Sequence, residues 1–117
     1  MQVLPNGRRT TFVRSERGQK LPRGYVIATI QITDASRYDK YRALASEAIA
    51  AHRGRVLVRG GHNEVMEGSA PGRTVVIEFD SLEQARRFYS SLEYTKARAA
   101  REGAADLNWF VVQGIDD

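Results

Sequence analysis

The 117-residue sequence contains no cysteine. That absence excludes a disulfide framework, a thiolate metal site and cysteine nucleophilic catalysis together, and it suits a reducing compartment. Histidine is nearly as scarce, with His52 and His62 alone. Neither belongs to an HEXXH pattern or stands at ligand-like spacing from Glu64 or Glu67, so no metal and no cofactor are expected. No stretch approaches the ~18 consecutive apolar residues of a membrane span. The basic N-terminus lacks the apolar centre of a secretory signal. No membrane partner is therefore expected, and the expected location is cytoplasmic. A serine nucleophile elbow and a paired-carboxylate signature are missing as well.

What is present reads as one ordinary globular domain. Hydrophobic residues are 42% and charged residues 27%, which argues against a disordered chain, and the length suffices for a single core without staples. The formal charge of +4 by itself suggests an anionic partner such as nucleic acid. Its distribution argues otherwise. Positions 1–23 hold Arg8, Arg9, Arg14, Arg17, Lys20 and Arg23 against Glu16 alone, a balance of +5, whereas 24–117 carry 12 basic and 13 acidic residues, a balance of −1. Pro5, Asn6-Gly7, Gly18 and Pro22 punctuate the first stretch. We read 1–23 as a basic N-terminal arm or extension, free or docked on a partner subunit, with 10–13 as a candidate edge strand. Residues 24–117 form the folded domain.

Within that domain, 24–33 is rich in β-branched residues and predicts a strand. Asp34 is placed to cap a helix over 34–53 whose stripe is Tyr38, Tyr41, Ala45, Ala48, Ile49 and His52, with Gly54 as its stop. Arg55–Arg59 predicts a second strand, interrupted by a bulge or bend at Gly60-Gly61, with 62–67 as a candidate continuation. A loop over 68–72 leads to a third strand, Arg73–Phe79. Ser81 with Gln84 forms a capping box for a short helix, Ser90 with Glu93 a second, and the second helix runs over 92–102 to a stop at Gly103. A last strand covers 107–113. The order β-α-β-β-α-β is that of an α+β ferredoxin-like fold, a four-stranded antiparallel sheet with both helices on one face. Strands two, three and four are apolar on both parities, where a wet face should alternate with polar residues. A monomer rarely exposes so large an apolar sheet face, so a homodimer packed sheet against sheet is expected.

Gly24-Tyr25, Asp34…Tyr38…Tyr41, Val58-Arg59-Gly60-Gly61, Glu67-Gly68, Val76-Ile77-Glu78-Phe79, Glu93-Tyr94 and Gly114 together resemble domain-of-unknown-function family 1330 over about residues 24–115. The resemblance implies membership of the dimeric α/β-barrel superfamily, in which two ferredoxin-like protomers pack their sheets into a barrel. Relatives there include cofactor-less monooxygenases, haem-degrading enzymes, muconolactone isomerases and small-molecule binders. The family offers no established reaction to carry over, and the basic arm departs from its pattern.

Several residues are candidates for chemistry, each with a structural alternative. Glu78 interrupts an apolar strand, and burying it unpaired would cost several kcal/mol or raise its pKa. It is a candidate general acid/base or ligand anchor in a pocket between sheet and helices, or else half of an ion pair with Arg59 or Arg98. Arg59 with Gly60 and Gly61 offers a guanidinium and exposed amides to an anion, or simply a bulge. His62 follows those glycines and is the better placed histidine, giving Glu78, Arg59 and His62 as catalytic candidates. Tyr25, Tyr38, Tyr41, Tyr94 and Trp109 line an aromatic pocket or pack the core and interface. Tyr94 and Asn108 bring polar groups to a cleft, and Arg98 and Arg101 rim a pocket for an acidic substrate or form a solvated face. The substrate-binding set expected is thus Arg59, Gly60, Gly61, Glu78, Tyr94, Arg98 and Asn108. The favoured function is a small-molecule site in each protomer, an enzyme without an obligatory cofactor or a metabolite binder. The alternative is a structural or interaction dimer without catalysis. An RNA-recognition motif is disfavoured, because strand three lacks its glycines and stacking aromatics and carries Glu78.

Overall fold

The computed structural model describes residues 21–70 and 72–116; the arm over 1–20 and its candidate strand lie outside the described residues. The elements run β1 (Gly24–Ile32), α1 (Ala35–Ala51), β2 (Arg55–Arg59), β3 (Arg73–Phe79), α2 (Leu82–Ser90), α3 (Leu92–Ala100) and β4 (Ala105–Gln113). The strands form one antiparallel sheet in the order β2-β3-β1-β4, the expected ferredoxin-like arrangement with the second helix in two pieces. Among the described residues no helix is long and apolar enough to cross a membrane.

Strand parity decides what each face carries. On β1, Val26, Ala28 and Ile30 are buried against the helices, as are Ile77 and Phe79 on β3. Helix α1 answers with Tyr38, Tyr41, Ala45 and Ala48, the stripe its three- and four-residue spacing predicts. Phe88 of α2 and Tyr94 of α3 complete the core, both essentially inaccessible to water. Phe88 lies 5.0 Å from the Phe79 ring and 4.5 Å from Tyr94. Fully burying side chains of this kind contributes roughly 1.5–3 kcal/mol each.

The opposite face reads in rows across the strands. Val58, Val76, Ile27 and Phe110 are successive cross-strand partners and make an apolar row. On one side of it runs an ionic row, Arg55, Glu78 and Tyr25, ending at Val112. On the other runs a hydroxyl and amide row of Thr74, Thr29 and Asn108, closed by a 3.2 Å hydrogen bond from Asn108 Nδ2 to Thr29 Oγ1. Phe110 and Val112 are 50% and 42% exposed, so the apolar row faces out.

Four local features differ from the sequence reading. The chain bends at Gly60, with φ of 67°, but the register shift within β2 falls earlier, between Val56 and Val58. Residues 62–67 are not a strand; the pairing of β2 with β3 ends at Arg59 opposite Val75. Helix α1 closes through Arg53, whose φ of 60° takes the left-handed turn expected of Gly54. Gly54 is small for another reason: a Cβ there would meet Ile49, Ile77 and Phe79 at 2.9–3.0 Å. Finally, the cap of α3 is Ser91, not Ser90. Ser91 Oγ accepts from Tyr94 N at 3.2 Å and donates to the Phe88 carbonyl at 2.7 Å, tying the two helix pieces together.

This assignment is testable by urea denaturation. Ser91→Ala is expected to lose about 1 kcal/mol, the usual worth of an N-cap. Ser90→Ala should stay within about 0.5 kcal/mol of wild type. The reverse order would return the cap to Ser90.

Candidate functional site

The two faces of the sheet hold two different polar constellations. On the outward face Glu78 sits opposite Tyr25 on β1 and Arg55 on β2. Tyr25 Oη donates to Glu78 Oε2 at 2.9 Å, and Arg55 Nε donates to Oε1 at 2.9 Å. Asp80 joins the cluster through Arg55 Nη2 at 3.0 Å and Arg23 Nη1 at 3.3 Å. Arg23 also lies 3.7 Å from Glu78, and its carbonyl accepts from Gly114 N at 2.7 Å. Arg23, counted with the arm by composition, is thus tied to the sheet. Burial alone would raise the Glu78 pKa, but the hydrogen bonds from Arg55 and Tyr25 and the Arg23 charge outweigh it, and the carboxyl is held below its usual range. Burial and the Glu78 bond together raise the Tyr25 phenol. Such a group is a carboxylate fixed by two hydrogen bonds, and it lacks the raised pKa of a general acid at neutral pH.

On the helix face a cavity of about 230 Å³ lies between α1 and the sheet. Val26, Ala28 and Ile30 of β1 and Ile77 of β3 form its floor; Tyr38, Tyr41 and Ala45 of α1 and Tyr94 of α3 enclose it. Tyr41 and Tyr94 join hydroxyl to hydroxyl at 2.7 Å. Burial pushes the Tyr41 phenol well above its ordinary value, the Tyr94 hydroxyl adds to the rise, and the smaller opposing pull of Arg101 does not reverse it. The Arg101 guanidinium lies 5.3 Å from the Tyr41 ring centre. The Tyr41 phenol therefore stays protonated. One of the two hydroxyl protons bridges the pair, and arginine has no acceptor to offer the other.

Arg42, Arg59 and Arg73 also line this cavity, and among the described residues no carboxylate lines it. The position of Arg59 follows from the irregularity in β2. Arg55 and Arg59 stand four apart and on a regular strand would share one face. Val56 pairs with Ile77, but Val58 pairs with Val76, so one residue is left over at Leu57. The bulge reverses the parity: Arg55 stays opposite Glu78 while Arg59 comes opposite Val75, on the cavity side. Arg73 reaches the same side through the parity it shares with Val75, Ile77 and Phe79. Gly60, with φ of 67°, makes room for it; a Cβ there would stand 2.7–2.8 Å from the Arg73 guanidinium.

Of the residues anticipated from sequence, Arg59 and Tyr94 line the cavity and Gly60 adjoins it through Arg73. Tyr38, Tyr41 and Trp109 of the aromatic set line it too, while Tyr25 does not. Glu78 and Asn108 lie on the other side of the sheet, so the structure does not bring Glu78 together with Arg59 or Tyr94. The arginines paired with Glu78 are Arg55 and Arg23, not Arg59 or Arg98. Arg98 covers Tyr89 at 4.1 Å and bonds its hydroxyl at 3.1 Å. His62 is largely exposed and pairs with Glu64 at 3.1 Å. His52 bonds Glu93 at 2.9 Å. Gly61 borders open space. Among the described residues no three His, Asp or Glu side chains gather as metal ligands would. Arg73 was missed, although its place in the odd series of β3 was a readable signal.

With this geometry in place, comparison with known proteins identifies the lineage. The family model "Domain of unknown function (DUF1330)" matches residues 23–115. The chain belongs to the DUF1330 family. No curated protein matches this DUF1330 chain. Among solved structures it is similar to a protein of unknown function from Rhodopseudomonas palustris, with 14% identity, a TM-score of 0.65, and coverage of 86% of this chain and 88% of that one. It is similar also to a dimeric ferredoxin-like protein of unknown function from Thermobifida fusca (14% identity, TM-score 0.56, 80% and 92% covered). A candidate antibiotic biosynthesis monooxygenase from Caulobacter crescentus shares 16% identity at a TM-score of 0.61, with 86% and 97% covered. At these identities the DUF1330 protein shares a fold with all three.

The Glu78 cluster makes a pH prediction. Its folded pKa lies below the unfolded value, so its contribution is present above about pH 4.3 and is lost as pH falls through the folded pKa. Glu78→Gln is expected to cost about 1 kcal/mol at pH 7. In urea melts the gap between variant and wild type should narrow as pH falls below about 4.3 toward the folded pKa. A gap of the same size at every pH would show that the carboxylate charge contributes nothing.

Proposed function

We propose that this protein is a homodimer that holds a small, largely apolar molecule in the α1–sheet cavity of each protomer. The cavity carries the reading: an apolar chamber with few polar groups aimed into it is the usual form of a small-molecule site. An engineered apolar cavity of about 150 Å³ admits benzene, so 230 Å³ accommodates one ring with a short substituent. The free proton of the Tyr41–Tyr94 pair offers a hydrogen bond to an oxygen of the bound molecule. The dimer rests on the outward apolar row, which a second copy would cover sheet to sheet, and on the dimeric state of the Thermobifida fusca neighbour. A cysteine-free composition suits a cytoplasmic setting. Catalysis without a cofactor would be built on the tyrosine pair. Glu78 takes no part in this reading, because it is on the far face and bound to Tyr25 and Arg55.

Light scattering on a size-exclusion column is expected to return about twice the chain mass of 13.1 kDa; a species of single-chain mass at micromolar concentration would refute the dimer. For the site, an amide NMR titration with single-ring aromatic fragments should shift Tyr41, Ala45, Val75 and Tyr94, and Ala45→Leu, which fills the chamber, should abolish those shifts. Shifts confined to other surfaces would refute the cavity.

A further inference from the structure

The cavity has an unusual charge arrangement for so apolar a chamber. Three arginines line it and, of the described residues, no carboxylate does. Among the described residues, Arg42, Arg59 and Arg73 form no ion pair. Arg73 is the most constrained. Its Nε is buried and has no hydrogen-bond partner, which ordinarily costs about 1–3 kcal/mol or more when the group is charged. Gly60 is shaped around its guanidinium. Arg42 lies 5.4 Å from the Tyr38 ring centre, and burial raises the Tyr38 phenol against the opposing charges of Arg73, Arg42 and Arg101. Arg59, exposed at the end of β2, stands at the mouth. On the other face of the sheet Arg55 and Arg23 are matched by Glu78 and Asp80, whereas Arg98 and Arg101, like Arg73, keep a buried Nε without a hydrogen-bond partner.

We infer that the ligand is an anion, a small apolar or single-ring carboxylate whose charged end is bound by Arg73 and Arg59 and whose apolar body fills the chamber. This rests on the cavity being a small-molecule site and adds the ligand's charge. A planar guanidinium fork matches a carboxylate in two parallel hydrogen bonds, and the vacant Nε of Arg73 supplies one of the donors. The apolar floor of Val26, Ala28 and Ile77 accounts for the rest of the molecule. A free inorganic anion fits poorly, since it would leave that floor uncovered.

The test compares phenylacetate with its neutral isostere phenylacetamide, by isothermal titration calorimetry on the full chain. Phenylacetate is expected to bind at least about tenfold tighter than the amide. Arg73→Gln should remove that preference and leave amide binding within about threefold. Arg59→Gln, at the exposed mouth, should reduce the preference without affecting the fold, and it keeps the test decisive if Arg73→Gln does not fold. Equal affinities would overturn the charge inference while leaving the cavity reading intact, as would a full preference in both variants. If neither compound binds the folded protein, the cavity reading falls and this inference with it.

Discussion

The arrangement of this molecule depends on one extra residue in an edge strand. A strand without the bulge at Leu57 would carry Arg55 and Arg59 on the same face. Both would then crowd the outward side, where a single glutamate and a single aspartate wait, and the cavity would lose the cation at its mouth. With the bulge, one arginine goes to each side. Each sheet face acquires its own electrostatic character from a five-residue segment, and the strand ends just before Gly60, which lies against the Arg73 guanidinium.

The outward face illustrates how a carboxylate is kept inside an apolar strand. Glu78 is acceptable there because three donors converge on it from two neighbouring strands and from Arg23. The same residue type, placed one position along, would point among Phe79, Ile77 and the helix side chains with no such donors, and the cost of burying it unpaired would be several kcal/mol. The cavity face solves the opposite problem. Tyr41 and Tyr94 are bonded across two helices, and its arginines meet no carboxylate among the described residues. The outward face thus has its charges paired, while the core face keeps unmet bonding capacity.

Much of this was legible in the residues alone. The alternation of Val26, Ala28 and Ile30, the Tyr38–Tyr41–Ala45–Ala48 stripe and the four strands follow from period and propensity, and the fold follows from their order. The capping boxes were readable to within one residue, since Ser90 and Ser91 are adjacent and only the geometry of the chain between α2 and α3 selects the second. What escaped was anything requiring register. The partner of Glu78 is set by which residue of β2 lies opposite it, and a bulge that leaves no glycine at the irregular position has no sequence mark. Arg59 reached the cavity by that same shift, and Glu78 missed it because the pocket occupies the other parity of β3. Gly54 was read as a turn residue when its role is to let Ile49, Ile77 and Phe79 close over it.

Trp109 is the only tryptophan in the chain, and it stands at a boundary. It lines the α1–sheet cavity and also a second, more open hollow at the β4 edge with Tyr89, Arg101 and Phe110. It packs 4.8 Å from Tyr89 and 5.6 Å from Tyr94 between ring centres. The protein therefore carries its one indole in the partition between these two hollows. Its emission reports on the solvation of that partition without any label.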